Sequence, residues 1–196
     1  MRAERLITSF FTNVCIVIML LFYVSSSSAT TLIELTLEDL CMKSSDIIIT
    51  HVKSMNSYCN SEKTRMYTDI YLEVEDTIKG QCQKQSNIKL TLYGGTVDGI
   101  TTYVVGSPQF KVGEQTLLFL SERQSEKTGK KYFSIVGFNQ GKFNLVTDSK
   151  TKENKVIRDQ KEFPLKLEKN SINHILAGSQ SLSLPDFLNY IKMFSK

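Results

Sequence analysis

The sequence predicts a mainly all-β protein: a small, closed, antiparallel barrel with a short N-terminal helix and a C-terminal helix. Three observations predict it. Strand-like runs follow one another at close spacing, separated by Gly- and Pro-containing breaks, as in sandwiches and small barrels. The stretch Tyr93 to Leu120 packs a Gly-Gly turn, an alternating segment, a Gly-Ser-Pro break, a Val-Gly-Glu turn and a continuous apolar run into one piece of chain. Helical periodicity is confined to segments near the two ends. Closure of an antiparallel sheet also removes exposed strand edges.

Residues 1–29 are set apart from that domain. Arg2 and Arg5 make a basic start, Phe10 to Val24 is apolar apart mainly from Thr12 and Asn13, and Ser25 to Ala29 are small. This is the order of a secretory signal. The apolar run is shorter than the roughly 20 residues a bilayer span needs, so cleavage after Ala29 is expected, with no membrane span afterwards. The protein is then exported, to the periplasm or the exterior. Residues 30–158 form the β domain, 159–182 an irregular linker and 183–196 the terminal helix.

Thr36 to Lys43 reads as a short helix, with Thr36 as cap and Asp39 completing a capping-box pattern. Leu37, Leu40 and Cys41 share one face. Ile47 to Val52 is a β-branched run and the first strand. Residues 54–65 are polar and turn-like. Met66 to Ile78 alternates cleanly: Met66, Thr68, Ile70, Leu72, Val74 and Asp76 on one face, Tyr67, Asp69, Tyr71, Glu73, Glu75 and Thr77 on the other, as a half-buried strand requires. Lys79-Gly80 ends it, and Ile88 to Tyr93 alternates again.

Gly94-Gly95 permits a turn. Ile100 to Val105 is expected as a strand, stopped by Gly106-Ser107-Pro108. Gln115 to Leu120 has little alternation and is expected to be buried on both sides. Tyr132 to Phe138, Gly141 to Val146 and Lys155 to Arg158 continue the pattern, the last two flanking a hairpin turn. At the C-terminus, Ser183 caps a helix whose stripe of Leu184, Phe187, Leu188 and Ile191 docks on the barrel.

The formal net charge is only +4. The lysines of 127–131 and 148–155 fall between strands and suit solvated hairpin tips. A nucleic-acid surface needs a basic face with interleaved aromatics, so nucleic acid is not an expected partner. Cys41, Cys59 and Cys82 remain after residue 29, and an oxidising compartment permits a disulfide. If the strand at 47–52 pairs antiparallel with that at 66–78, Cys41 and Cys82 lie at one end and Cys59 at the other. Cys41–Cys82 is then the preferred bridge, with three thiols as the alternative. The spacing of cysteines and histidines matches no zinc site, and no residue pattern asks for a cofactor.

The blocks Leu37-Glu-Asp-Leu40, Ser45-Asp-Ile-Ile-Ile49, Ile78-Lys-Gly80, Gly94-Gly95, Gly106-Ser-Pro-Gln-Phe110, Val112-Gly-Glu114, Leu117-Leu-Phe-Leu120 and Val136 to Phe143 resemble a group of uncharacterised secreted bacterial domains. That group is related to the netrin-like, or tissue-inhibitor-of-metalloproteinase-like, OB-fold. The resemblance covers about residues 36–146 and implies a five-stranded Greek-key barrel with extra strands. It carries over no inhibitor mechanism. Those inhibitors place an N-terminal cysteine on the protease zinc, whereas Thr30 is the expected first residue here and Cys41 lies inside a helical segment.

Catalytic constellations were weighed residue by residue. No H-E-x-x-H, G-x-S-x-G or phosphate-loop motif occurs. Asp98 with Glu114 is a candidate carboxylate pair. Cys59 with His51 or His174 is a candidate nucleophile pair. Gly94, Gly95 and Asp98, and Gln140 with Lys142, are candidate binding loops at a barrel mouth. The expectation is a non-catalytic binding module whose partner is a protein or cell-envelope component. A regulator or inhibitor of an exported protease, by analogy of fold only, and a hydrolase with an unrecognised site are the alternatives.

Overall fold

A computed structural model describes residues 34–126, 128–149, 151–158 and 182–194. The expected signal, His174 and most of the expected linker lie outside them. Among the described residues, no helix is long and apolar enough to cross a membrane.

Helix α1 (Leu37–Lys43) begins as its sequence dictates. The Thr36 side chain accepts from the Asp39 amide, and the Asp39 carboxylate accepts from the Thr36 amide. Ten strands follow among the described residues: β1 (Asp46–Cys59), β2 (Met66–Lys79), β3 (Asn87–Tyr93), β4 (Gly95–Val97), β5 (Ile100–Thr102), β6 (Gln115–Gln124), β7 (Lys131–Ile135), β8 (Lys142–Thr147), β9 (Asn154–Arg158) and β10 (Leu182–Ser183). A 3-10 turn at Phe138–Gly141 joins β7 to β8, and helix α2 (Leu184–Phe194) ends the described chain.

The main sheet is antiparallel throughout and runs β10-β9-β8-β6-β1-β2-β3, with β7 also paired to β6. β4 and β5 make a separate hairpin. The expected closed barrel is not completed by ladders among the described residues. β3 and β7 both run parallel to β1, as the antiparallel pairings require. They approach to within 8 Å between Cα atoms with no ladder between them.

Three expectations are corrected. The first strand does not stop at Val52, because its polar continuation pairs with β2 as far as Cys59↔Met66. Residues 54–59 are therefore one arm of a long hairpin, and only 60–65 turn. The strand expected over 100–105 is short, ending at Thr102. Residue 182, assigned to the linker, pairs with Val156.

The core has two parts, one on each face of the sheet. On the first face Ile47, Ile49, Leu117, Phe119, Phe143, Leu145 and Val156 meet Leu37, Leu40 and Cys41 of α1 and Phe187 and Ile191 of α2. The rings of Phe119, Phe143 and Phe187 contact in series, at 5.6 and 5.0 Å between centroids. On the second face Ile48, Val52, Ile70, Leu72, Val74, Leu90, Leu118 and Leu120 pack with Phe110 and with Phe133 and Ile135 of β7. Leu117 to Leu120 thus send alternate side chains into both clusters, which explains their unbroken apolar run. The β1–β2 ladder shifts register at three places. Such bulges re-aim side chains: Ile78 packs against the helix-side cluster, and Asp76 is exposed.

Candidate functional site

The site-forming residues come from β1, β2 and β3. Their side chains alternate, so Met55, Ile70 and Leu90 face one way while Asn56, Asp69 and Thr91 face the other. On that outer face the ladders align three rows across the strands. Tyr58, Tyr67 and Tyr93 make the first. Asn56, Asp69 and Thr91 make the second. Ser54, Tyr71 and Lys89 make the third.

The tyrosine rings touch in sequence. Tyr58 and Tyr67 stack at 5.8 Å between centroids, and Tyr67 meets Tyr93 at 5.0 Å. Tyr58, Tyr71 and Tyr93 are exposed, Tyr93 to 58%. Asp69, at the centre of the nine, is only 7% exposed. It accepts from the Thr91 hydroxyl at 2.6 Å, Lys89 Nζ at 3.0 Å and the Tyr58 hydroxyl at 3.4 Å. Burial opposes its ionisation, but the Thr91 hydroxyl and the Lys89 ammonium outweigh this and hold the carboxyl below its ordinary range. The hydrogen bond to Asp69 raises Lys89 in turn. Burial, and then the Asp69 charge, push the Tyr58 phenol up. The arrangement is a fixed carboxylate that orients a hydroxyl, a phenol and an ammonium at the surface, beside a line of aromatic rings.

The residues expected to form sites are placed elsewhere. Gly94 and Gly95 lie on the opposite side of the β1–β2 hairpin, where the β4–β5 arm folds across Ser57 and Thr68. The Thr68 hydroxyl donates to Gly94 O at 2.8 Å. A Cβ on Gly95 would collide with Thr68 Oγ1 and lie 2.7 Å from Ser57 Oγ, at a φ of +135°. These glycines serve close backbone approach. Asp98 is at the exposed tip of that hairpin. Glu114 adjoins Val52, five residues along β1 from Ser57, or about 17 Å at strand rise. Asp98 and Glu114 thus belong to separate segments of the chain.

Glu114 instead pairs with Lys142, Oε1 to Nζ at 3.0 Å. Lys142 also donates to Asn144 Oδ1 at 2.7 Å and lies 4.7 Å from the Phe110 ring centroid. Gln140 is buried and accepts from the Leu35 amide at 2.8 Å. Both side chains hold the 138–142 turn in place.

His51 and Cys59 occupy one strand eight residues apart, roughly 27 Å at strand rise, so they form no nucleophile pair. His51 Nδ1 lies 3.9 Å from Glu75 Oε1, and Gln115 donates to the same carboxylate. Among the described residues no disulfide is present. The expected end-to-end placement holds, because Ile47 pairs with Lys79 and Lys79 Nζ reaches Cys41 O at 2.8 Å. The thiols nevertheless belong to opposite faces of the sheet: Cys41 to the helix-side cluster, Cys82 to the second. Burial, and then the Asp46 charge, push the Cys82 thiol up to about 12.

Residues 54–59 are polar and turn-like by composition, so only their pairing with β2 places Tyr58 and Asn56 in the sheet and completes the tyrosine row. The available signal was Tyr67, Asp69 and Tyr71 on the solvent face of the clearest alternating strand.

No family model matches the chain, and no curated protein or solved structure matches it either.

Proposed function

We propose that this chain is an exported, non-catalytic binding module that meets its partner with the outer face of β1 to β3. The observation that carries the reading is the row Tyr58–Tyr67–Tyr93, exposed at both ends and anchored through Asp69. Tyrosine supplies large amphipathic contact area at low conformational cost. Anchoring its hydroxyl before binding lowers that cost further.

The scaffold reading is an OB-like barrel. The neighbour order β3-β2-β1-β6-β7, with the first and last strands parallel and adjacent, follows the five-strand layout of that fold, whose barrel is commonly partly open. The outer face of β2 and β3 is where such barrels bind ligands. The non-catalytic part is supported by the engagement of candidate chemical groups in structural contacts: Glu114 with Lys142, and His51 with Glu75.

The test is affinity capture from envelope extract with the protein and with its Tyr67→Ala/Tyr93→Ala variant, matched by circular dichroism. Specific material retained by the first and lost by the second is expected. Identical retention by both would overturn the assignment of the face.

A further inference from the structure

We infer that the seam between β3 and β7 takes a single extended strand from a partner polypeptide, paired antiparallel with both. The slot is made of backbone and does not depend on the tyrosine row.

Both edges of the seam are unpaired. Gly94 N donates to Met66 O, and the β2–β3 register runs without a shift from Tyr67↔Tyr93 to Glu73↔Asn87. Leu92, Leu90 and Ile88 therefore bond to β2, while the N–H and C=O groups of Tyr93, Thr91, Lys89 and Asn87 point away from it. Val136 N likewise donates to Phe119 O, and that register continues from Leu120↔Ile135 to Gln124↔Lys131. The backbone groups of Ile135, Phe133 and Lys131 thus point away from β6. Among the described residues, these outward groups have no backbone partner. Strands packed face to face lie about 10 Å apart. The approach of β3 and β7 to within 8 Å between Cα atoms is therefore edge to edge.

Direct closure is the weaker way to satisfy these edges. β3 and β7 run parallel to each other, and a parallel ladder is less stable per residue than an antiparallel one. A strand running the other way pairs antiparallel with each. It needs two ladder spacings, about 9.6 Å, so the edges must part by about 2 Å or more. The fold allows this movement. β1 stops pairing with β6 at Asp46↔Leu120, whereas β7 pairs as far as Gln124. Beyond Leu120, β6 and β7 form a two-stranded ribbon, which has little stability of its own.

The side chains fit the same occupant. Core residues of the second face on β1, β2 and β6 are buried, whereas Ile88 and Leu92 of β3 and Phe133 and Ile135 of β7 are only half-buried. A strand as long as β7, five residues, with apolar side chains at alternate positions would cover them and keep its polar side chains outward. A polypeptide backbone carries donors and acceptors at the spacing both edges require. A slot bounded on two sides admits a lone strand and rejects the edge of a second copy's folded sheet. The occupant is therefore an extended tail or loop of a partner protein.

The experiment selects phage-displayed random dodecapeptides on the full chain and follows the best peptide by amide hydrogen exchange in NMR. Enriched peptides should share a proline-free run of about five residues with apolar side chains at alternate positions. Binding should slow exchange at Lys89, Thr91 and Tyr93 and at Phe133 and Ile135 together, by about ten-fold or more, the scale of one hydrogen bond. Successive amides of the bound strand face opposite edges, so N-methylation of any one central amide should weaken affinity about ten-fold. No enrichment over a blocked surface, or enriched peptides without the alternation, overturns the inference. So does protection of one strand alone, or a loss confined to every second N-methyl position, since each marks addition to a single edge. Slow exchange at both strands before any peptide is added also overturns it, because the chain then fills the slot itself.

Discussion

Replacing Asp46 by alanine should destabilise the protein by about 2–5 kcal/mol. Asp46 opens β1 and is buried. Its Oδ1 accepts from the amides of Gln81 at 2.8 Å and Cys82 at 3.2 Å, and its Oδ2 accepts from the Ser45 hydroxyl at 2.8 Å. The carboxylate therefore closes the turn that leads from β2 toward β3. Alanine leaves two amides of that turn without an acceptor. An orphaned donor costs about 1–3 kcal/mol where it is buried; Gln81 is exposed and Cys82 half-buried, so partial rescue by water lowers the sum. Against a typical total of about 5–15 kcal/mol, the variant should remain folded but unfold at clearly lower denaturant.

The same carboxylate gives a pH signature. Burial raises its pKa, but the Ser45 hydroxyl and the turn amides outweigh this, so its folded value is depressed. An unfolded aspartate titrates near about 4. The stability contributed by Asp46 is thus fully present above that pH and is lost as pH falls through the lower, folded value. Urea unfolding of the protein, Asp46→Ala and Asp46→Asn should be followed from neutral pH to about pH 2. The wild-type advantage over Asp46→Asn should shrink as the pH falls below about 4. A loss in the alanine variant below about 0.5 kcal/mol at neutral pH, or an advantage independent of pH, would refute the reasoning.

Three further outcomes are expected. Gly80→Ala should cost about 3 kcal/mol or more in the same assay, because φ is +99° and the new Cβ would collide with the Asp46 carboxylate and lie 2.7 Å from Ser45 O. Cys82, with its thiol pushed up to about 12, should alkylate with iodoacetamide at pH 8 roughly a thousand-fold slower than an ordinary thiol; peptide mass spectrometry reads the rate, and labelling as fast as free cysteine would contradict the environment described. Lys142→Ala should cost about 2–4 kcal/mol by stripping the cation from Glu114, whereas Lys142→Met combined with Glu114→Gln should fall within about 1.5 kcal/mol of wild type, as thermal melts would show.

The Asp46–Gly80 contact also joins two distant parts of the sequence. Ser45-Asp46 and Lys79-Gly80 are distant in sequence, yet they meet because β1 and β2 pair with Ile47 opposite Lys79. The aspartate supplies the acceptor for the turn, and the glycine leaves room for the aspartate. The carboxylate also faces the Cys82 thiol, which draws that cysteine into the turn's polar network.

Local chemistry was enough for the elements whose signals are local. The capping box at Thr36 and Asp39, the Ser183 cap with Asp186, the alternation from Met66 to Val74 and the two-sided burial of Leu117 to Leu120 were all legible from residue types and period. Each depends on neighbours within a few positions. What the tertiary structure decided depends on pairing across the chain. Residues 54–59 are polar and turn-like by composition, and only the partner strand makes them β. The bulge in β2 between Thr77 and Lys79 sends Ile78 to the opposite core, which no strict two-residue period anticipates. Whether the sheet closes depends on how far it curls to bring β7 toward β3. The tyrosine row is of the same kind: Tyr58, Tyr67 and Tyr93 are spread over 36 residues of sequence and become neighbours because two ladders set them in register. Register is a property of pairs of strands, so a single strand's pattern names the exposed face but not what that face assembles.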